Sequence, residues 1–404
     1  MKDWSILSVY CGHAICRVLA LVVLSTNLFS CINETGEESS TAGGGVVVIN
    51  VPRNQDDNIQ DISNSQVAVE RIVLIPSVAN EMGSIAYFFR LSDQLILVDK
   101  NNAIIVSVDE EGVPNWWIKG RPNDYTVFNS IEYATYDRYS NQLLIDDWSN
   151  IYVFTSKGEF VEKRNRPLFD YNVFLPFSNN VIMYSAQNID NNILDIPKRQ
   201  LLKVEDEKVT AHYINHAPQQ PRFPTAAGFP EFFGKPEHLF YKAALRDTIY
   251  KIVESERPVP AYVVKFDTQE STDDVLRDPR HSQKLSYILE RNIPFLFSLA
   301  SNDEHLYFCY RDSERRSLAQ VSIATGETVI NSSFLQFQDW LFEAPLLEFD
   351  GTFFGITTVA EDIINQKHVK DVSAESATIW QKELTNLRNT GPDTEGKVVY
   401  LLKI

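Results

Sequence analysis

A four-strand pattern recurs along this chain at a near-constant interval, which restricts the fold more than any other feature. Each copy holds short runs of β-branched and aromatic residues, with a tight turn before the last run. The turns begin at residues 109, 156, 205, 254 and 324, so the first three intervals are 47, 49 and 49 residues. Four short strands repeated every 45–50 residues are typical of a β-propeller, not of a sandwich or a solenoid.

The longer interval before residue 324 has a visible cause. Residues 271–291 lose the strand pattern and carry Leu285, Ile288 and Leu289 on one side of a predicted helix. A second helical pattern, over residues 379–387, follows the fifth copy. We therefore expect two short helical insertions in an otherwise all-β chain.

The number of blades follows from how the ring must close. After the fifth copy the chain holds only three more strand patterns, at residues 346–349, 352–359 and 398–404. An unpaired edge strand costs stability and invites aggregation, so a propeller needs a fourth strand there. An isolated β-branched run, residues 46–51, can supply it. The pattern predicts a six-bladed β-propeller over residues 46–404, closed by this N-terminal strand; five or seven blades are the alternatives.

The first 30 residues have the composition of an export signal. A polar start leads into a mostly apolar run over residues 18–28. About a dozen residues are too few to cross a hydrocarbon core of roughly 30 Å, so a signal peptide over residues 1–30 is favoured over a membrane-spanning helix. The run ends in Leu28-Phe29-Ser30-Cys31, which resembles the lipobox of bacterial lipoproteins.

This ending predicts a lipid on Cys31, followed by a flexible tether. Residues 31–45 are rich in Glu, Ser, Thr and Gly and lack the apolar content needed to pack. Phe29 stands where the lipobox has a small or aliphatic residue, so a plain secretory leader cleaved near Ser30 is the alternative. Of the other cysteines, Cys11 and Cys16 lie in the leader, and Cys309 is expected in the core without a disulfide.

The net charge restricts the partners. With a net charge of −17 and an isoelectric point near 4.9, the protein is a poor match for nucleic acid or anionic membrane surfaces. We expect membrane contact through the lipid anchor only, and a monomer.

Four stretches resemble a known family. They are Val-Glu-Arg-Ile-Val-Leu-Ile-Pro at 69–76, Gln-Leu-Ile-Leu-Val-Asp at 94–99, Leu-Arg-Asp-Thr-Ile-Tyr-Lys-Ile at 245–252 and the closing residues 398–404. The chain resembles the six-bladed β-propeller lipoproteins of Bacteroides-type bacteria, themselves similar to TolB-like and NHL-repeat propellers. The resemblance implies the fold and an outer-membrane lipoprotein, on the periplasmic or cell-surface side. It implies no settled activity.

The sequence holds no linear motif of an enzyme. There is no His-Glu-x-x-His, Gly-x-Ser-x-Gly, phosphate-binding glycine loop or paired-cysteine metal motif. His212 and His216 are four residues apart, but they follow a strand pattern and not a helix. We therefore name no catalytic residue, metal site or cofactor.

Two groups of residues are candidates for ligand binding. Trp116 and Trp117 lie in an outermost strand, where side chains alternate, so one ring faces inward and the other outward. The outward-facing ring could stack on a sugar. The alternative is that these rings pack between neighbouring blades. Arg121, Asp124 and Tyr125 lie in a connection between blades, from which polar groups can reach a ligand at the channel mouth. Arg222 lies in a similar, proline-rich connection.

Three functions are compatible with this sequence. The first is a non-catalytic binding or scaffolding propeller on the envelope that recognises a glycan, a peptide or an envelope protein. The second is a hydrolase or lyase whose catalytic groups converge in the channel mouth from different blades. The third is a structural part of an assembly, which predicts an exposed apolar patch in place of a pocket.

Overall fold

The computed structural model describes most of the chain beyond residue 45. The described residues are 46–52, 59–61, 68–74, 76–121, 124, 126–178, 180–186, 199–215, 231–234, 238–253, 257–268, 270–278, 280, 284–312, 315–332, 334–337, 340–343, 347–349, 352–358 and 397–403. The chain divides into Met1–Gly45 and Val46–Ile404, and every described residue belongs to the second unit. The expected signal peptide, the tether and Cys31 lie outside the described residues.

Strands and helices are labelled in chain order within these residues. They are β1 (Val47–Val51), β2 (Ile59–Asp61), β3 (Ala68–Leu74), α1 (Pro76–Glu81), β4 (Tyr87–Arg90), β5 (Leu95–Asp99), β6 (Ile104–Val108), β7 (Pro114–Lys119), β8 (Tyr133–Asp137), β9 (Gln142–Asp146), β10 (Asn150–Thr155), β11 (Phe160–Asn165), β12 (Tyr171–Ser178), β13 (Val181–Ala186), β14 (Arg199–Glu205), β15 (Lys208–Asn215), β16 (Glu231–Phe233), β17 (Leu239–Lys242), β18 (Thr248–Ile252), β19 (Val259–Phe266), α2 (Thr272–Arg277), α3 (Lys284–Glu290), β20 (Phe295–Ser301), β21 (His305–Asp312), β22 (Arg315–Ser322), β23 (Thr328–Ser332), β24 (Phe334–Phe337), β25 (Trp340–Glu343), β26 (Leu347–Phe349), β27 (Thr352–Thr358) and β28 (Lys397–Lys403).

These strands form six propeller blades, which confirms the predicted fold. Counted from the channel outward, blade 1 is β4–β7, blade 2 is β8–β11, blade 3 is β12–β15, blade 4 is β16–β19, blade 5 is β20–β23, and blade 6 is β26, β27, β28 and β3. The innermost strands β4, β8, β12, β16, β20 and β26 contact one another in this order, and β26 contacts β4. The ring is therefore closed.

The up-and-down order within each blade gives the propeller two different faces. The connections between blades and the turns from second to third strand share one face, which we call the connection face. The turns from first to second strand and from third to fourth strand share the other, which we call the hairpin face. The five turns that gave the sequence its period are third-to-fourth-strand turns and lie on the hairpin face.

Burial explains the sequence pattern of the strands. Inner strands are covered by a neighbouring blade on each side, so β5 and β6 are buried at every position and read as continuous apolar runs. The outermost strand β7 is covered on one side only, and its exposure alternates residue by residue. Along β4, Phe88 packs with the closing strand of blade 6, whereas Phe89 packs with blade 2.

The strand that closes the ring differs from the expected one. Residues 46–51 were expected to complete blade 6, but β3 does so, pairing antiparallel with β28 from Ala68 opposite Lys403 to Leu74 opposite Lys397. β3 matches all seven positions of β28, and its Ile72 and Leu74 are buried against blade 1. The expectation of an N-terminal closing strand is confirmed, but its position was wrong.

The β-branched run has another place. β1 pairs in parallel with β19 as a fifth strand of blade 4, and it buries Ile49 and Val51 between blades 4 and 5. The carbonyl oxygen of Pro52 then accepts a 2.6 Å hydrogen bond from Asn331 of blade 5. Further along, β2 pairs with β24 in a small sheet of β2, β24 and β25, which the sequence pattern did not predict.

The first helical insertion is confirmed as α2 and α3, between blades 4 and 5, with Leu276 and Ile288 in its core. The second, around residues 379–387, lies outside the described residues. Cys309 is fully buried, as expected for a core residue. Within the part of the chain that the structure describes, no helix is long and apolar enough to span a membrane.

Replacing Ile72 by Ala tests the role of β3. Ile72 is 1% exposed at the junction of blades 6 and 1. We expect the free energy of unfolding in urea to fall by about 2–5 kcal/mol, because the substitution removes buried methyl groups and leaves a cavity. Val48→Ala is the control on β1, where the side chain is 44% exposed, and should change stability by less than about 0.5 kcal/mol. If the two substitutions lowered the free energy of unfolding equally, the assignment of β3 as the closing strand would be wrong.

Candidate functional site

A cavity of about 140 Å³ lies in the central channel beside the first four blades. Its walls come mainly from the innermost strands β4, β8, β12 and β16 and from the turns that follow them. The lining residues are Ala86, Tyr87, Phe88, Phe89, Tyr133, Ala134, Thr135, Tyr136, Arg138, Tyr139, Leu175, Pro176, Phe177, Phe232, Phe233, Gly234 and Leu239.

The cavity reaches the hairpin face. Arg138 and Tyr139 lie in the turn between β8 and β9, whereas Gly234 and Leu239 flank the turn between β16 and β17. The ring of Tyr139 is 42% exposed, so it forms part of the rim, whereas Tyr136 is buried behind it. A ligand that enters from the hairpin face meets these groups first.

The turn that carries the rim is fixed by its own hydrogen bonds. The carboxylate of Asp137 accepts hydrogen bonds from the backbone N–H of Tyr139 at 2.9 Å and from the Ser140 hydroxyl at 2.6 Å. Asn141 adopts a left-handed backbone with φ of 54°, which asparagine tolerates better than most residues. This local turn chemistry fixes the backbone that carries Arg138 and Tyr139.

The size of the cavity suits a single ring. A cavity of about 150 Å³ accepts a benzene molecule, whereas pockets for drug-sized ligands span roughly 300–1,000 Å³. At about 140 Å³, this cavity matches one aromatic side chain, or part of a sugar ring, since a hexose has twice the heavy atoms of benzene. It can therefore hold the end of a ligand, with the remainder outside.

The lining combines aromatic surfaces with a few polar groups. Rings of Tyr and Phe supply most of the wall, and the Thr135 hydroxyl, tyrosine hydroxyls and the Arg138 guanidinium supply polarity. No carboxylate, histidine or cysteine occurs among the described lining residues. Nor do the described residues anywhere contain a group of three His, Cys, Asp or Glu side chains placed to hold a metal ion. The arrangement suits binding of a ring with a polar edge.

Three carboxylates and one lysine with shifted pKa values lie toward the connection face, where each makes structural contacts. Burial raises the pKa of Glu231 at the start of β16, and its carboxylate accepts hydrogen bonds from the backbone N–H groups of Ser298 and Leu299, both at 3.0 Å. Burial lowers the pKa of Lys242, whose ammonium donates a 2.9 Å hydrogen bond to the Leu296 carbonyl oxygen. These contacts fasten blade 4 to the bulged innermost strand of blade 5.

A second buried carboxylate holds the helical insertion. Asp247, at the second-to-third-strand turn of blade 4, accepts a 2.5 Å hydrogen bond from the Thr272 hydroxyl and a 3.3 Å bond from the Asp273 N–H. Burial and the nearby Asp273 raise the pKa of Asp247 to about 7. Asp273 itself pairs with Arg246 at 2.9 Å.

A third carboxylate with a raised pKa, that of Asp146, holds the connection after blade 2 in place. Asp146 accepts a 2.9 Å hydrogen bond from the Trp148 N–H and lies 3.3 Å from Nε of Arg166. The Arg166 guanidinium lies 4.1 Å from the centre of the Tyr171 ring and donates to the Tyr171 carbonyl oxygen at 3.1 Å. Burial raises the pKa of Asp146.

The residues singled out in the sequence lie elsewhere than the cavity lining. Trp116 packs between blades against Gly158, where an added Cβ would come within 2.6 Å of its ring, and Trp117 on the same outer strand is 55% exposed. Arg121 and Asp124 lie in a connection between blades, on the connection face. Hydrogen bonds from the Thr126 N–H and hydroxyl lower the pKa of Asp124.

Tyr125, Arg222 and Cys31 lie outside the described residues. The lipidation of Cys31 stays a prediction. So does a role in ligand binding for the other residues singled out in the sequence, which are Trp116, Trp117, Arg121, Asp124, Tyr125 and Arg222. The sequence reasoning missed the rim residues of the cavity, Arg138 and Tyr139, and the buried Tyr136 behind them. The only sequence signal for this rim was a turn between the first and second strands of blade 2, with two tyrosines and an arginine around Asp137. The same pattern is also typical of an ordinary turn.

Comparison with known proteins agrees with this fold. Residues 37–349 match a family model described as a 6-bladed beta-propeller, DUF5128. The chain belongs to this family. The resemblance inferred from the strand motifs is thereby confirmed at the level of the six-bladed propeller family. No curated protein matches the chain.

One solved structure supports the fold of this six-bladed family member. A Bacteroides fragilis protein described as a predicted exported protein superposes with a TM-score of 0.63 at 12% identity, covering 89% of this chain and 99% of its own. A member of the duf4221 family from Bacteroides vulgatus has 10% identity and a TM-score of 0.45, and covers 83% of this chain and 96% of its own. At these identities the first likeness shows the fold alone.

Replacing Asp247 by Asn tests the buried carboxylate under α2. Because the pKa of Asp247 is raised on folding, its contribution makes the folded state less stable as pH rises from the unfolded-state pKa to about 7. Asn keeps the acceptor for Thr272 without this titration. From pH 5 to pH 8 the variant should gain roughly 2–3 kcal/mol in unfolding free energy relative to the parent.

Chemical unfolding at the two pH values measures this difference. Asp303→Asn, at an exposed turn of blade 5, is the control for loss of an aspartate. If the unfolding free energies of Asp247→Asn and the parent changed by the same amount between pH 5 and pH 8, the raised pKa assigned to Asp247 would be wrong.

Proposed function

We propose that this protein is an exported, lipid-anchored propeller that binds the end of a glycan in its channel. Two independent features support the proposal. The leader and the Leu28-Phe29-Ser30-Cys31 ending favour export and attachment through Cys31. The aromatic cavity, open at the hairpin face and large enough for part of one sugar ring, favours recognition of the end of a glycan.

The single observation that carries the binding role is the composition of the cavity wall. Sugars present a C–H face that packs on aromatic rings and a polar edge that needs hydrogen-bonding groups. The rim provides the exposed ring of Tyr139 beside the guanidinium of Arg138, and the wall behind it provides Tyr136 and Thr135. A few polar groups that converge in an apolar pocket give a binding site its specificity.

Binding is favoured here over hydrolysis or elimination. Acid–base catalysis needs a positioned group whose pKa matches its task. The described cavity lining contributes hydroxyls and one guanidinium, while Glu231, Asp247 and Asp146 are already used in contacts between blades or with α2. We therefore place the protein among binding propellers, with the glycan held for capture or display at the envelope.

Replacing Tyr139 by Ala tests the cavity. Binding should be screened on a glycan array of neutral and uronic-acid-ended oligosaccharides, and the affinity of the best ligand measured by calorimetry. We expect the variant to bind about tenfold more weakly or worse, since loss of an aromatic anchor at a binding site often costs more than ~1 kcal/mol. Its stability should be unchanged because the ring is at the surface.

Trp117→Ala is the matched control, an exposed aromatic residue on the outer strand of blade 1. It should leave the affinity unchanged. If Trp117→Ala abolished binding and Tyr139→Ala did not, the binding site would be the outer edge of the propeller and the channel proposal would be wrong.

Replacing Cys31 by Ser tests the anchor. In a bacterial host, we expect the parent to incorporate a labelled fatty acid and to sediment with membranes, and the variant to lose both properties because it has no thiol to acylate. Cys16→Ser, within the leader, is the control and should behave as the parent. Membrane association of Cys31→Ser with its label intact would contradict the assignment.

A further inference from the structure

We propose that the sugar that enters the channel carries a methyl group where most hexoses carry a hydroxymethyl group, which makes it a 6-deoxy sugar such as fucose or rhamnose. This inference rests on the proposed function and names the class of sugar that the same cavity takes. It is carried by an asymmetry of the cavity wall. Among the described lining residues, one half of the wall holds every polar side chain and the other half holds only hydrocarbon side chains.

The hydrocarbon half comes from blades 3 and 4. Strands β12 and β16 and the first residue of β17 contribute Leu175, Pro176, Phe177, Phe232, Phe233 and Leu239. None of these side chains has a polar atom, and Pro176 also lacks a backbone N–H group. A ligand group that meets this half of the cavity therefore finds no side-chain hydrogen-bond partner among the described lining residues.

The polar half comes from β4, from β8 and from the turn after β8, in blades 1 and 2. Two of its hydroxyls already have contacts within the protein. Tyr87 donates to the Glu132 carbonyl oxygen at 3.1 Å, and the Tyr136 hydroxyl lies 3.5 Å from Oδ1 of Asn141. Side-chain hydrogen bonds to a bound sugar are therefore available on this side, and we expect the opposite edge of the sugar to be apolar.

The hydrocarbon half is held in place by its own packing. The ring of Phe232 lies 5.1 Å from that of Tyr241, and the ring of Phe233 lies 5.4 Å from that of Phe240, measured between centroids. Leu175 packs on the apolar core that blades 3 and 4 share. Because Tyr241 and Phe240 are buried, this wall keeps its shape, and a ligand has to match it.

A 6-deoxy sugar has the edge that this wall requires. The cavity of about 140 Å³ admits only part of a sugar ring. In a 6-deoxy sugar a methyl group projects from the ring edge at C5, and its burial against hydrocarbon is favourable. The hydroxymethyl group of an ordinary hexose would lose its hydrogen bonds to water there without replacement. An N-acetyl group would likewise bring an amide N–H and carbonyl into the apolar half.

Matched pairs of ligands isolate this methyl group. Methyl α-L-fucoside and methyl α-L-galactoside differ only in the hydroxyl at C6, and so do methyl α-L-rhamnoside and methyl α-L-mannoside. In the pair whose ring stereochemistry the site accepts, titration of the purified protein should show about tenfold tighter binding of the 6-deoxy sugar, as expected for a buried hydroxyl left without a partner. Saturation-transfer NMR should give its strongest signal at the C6 methyl protons.

Three variants assign the preference to the hydrocarbon half. Leu175→Asn places an amide of similar size on this wall and should bring the two affinities to within about twofold, because the amide can pair with the C6 hydroxyl. Leu175→Met keeps the wall apolar and should keep the preference. Leu168→Asn is the matched control, a leucine that is 78% exposed in the connection after blade 2, outside the cavity lining, and it should also keep the preference.

The outcomes separate this inference from the proposed function. If the parent bound both members of each pair equally, or preferred the hydroxylated member, the inference would be wrong and glycan binding in the channel would stand. Binding of an N-acetylated or other sugar from the array, with none of the four glycosides bound, would have the same meaning. A blank glycan array would contradict both. An unchanged preference in Leu175→Asn would show that blades 3 and 4 do not select the methyl group.

Discussion

Pairing between β3 and β28 is the constraint on which the rest of this propeller depends. It joins residues near the N-terminus to the last described strand through seven antiparallel positions. Without it, blade 6 would lack its outer strand, and Ile72 and Leu74 would leave the apolar core that blade 6 shares with blade 1. The other blades are local in sequence, so their strands can pair early, whereas closure pays the entropy of joining distant segments.

The channel site depends on that closure. Its wall takes side chains from four innermost strands, each belonging to a different blade. Their spacing is set by the ring and by buried contacts between blades, such as Glu231 of blade 4 with the bulged strand of blade 5. The N-terminal segment adds β1 to blade 4 and a hydrogen bond to blade 5 before it closes blade 6. Blades 4, 5 and 6 are therefore linked by one short stretch of chain.

Most of the architecture could be predicted because propeller blades repeat in sequence. Turn positions and the insertion at α2 and α3 follow from local patterns of period and turn chemistry, whereas the blade count also needed the requirement that the ring close. The choice of closing strand could not be predicted, since β1 and β3 are both short runs rich in β-branched residues and only long-range register distinguishes them. The site was missed for a related reason. Trp117 is conspicuous in sequence, but the cavity arises where modest residues from separate blades converge, such as Phe89, Tyr136 and Leu175.

A crystal structure of the protein with the best ligand from the glycan array bound would test the channel site most directly. We predict the terminal sugar at the hairpin-face opening of the channel, packed on Tyr139, with the rest of the glycan outside the channel. Density for the sugar on the outer strands or on the connection face, with the channel unoccupied, would contradict the account.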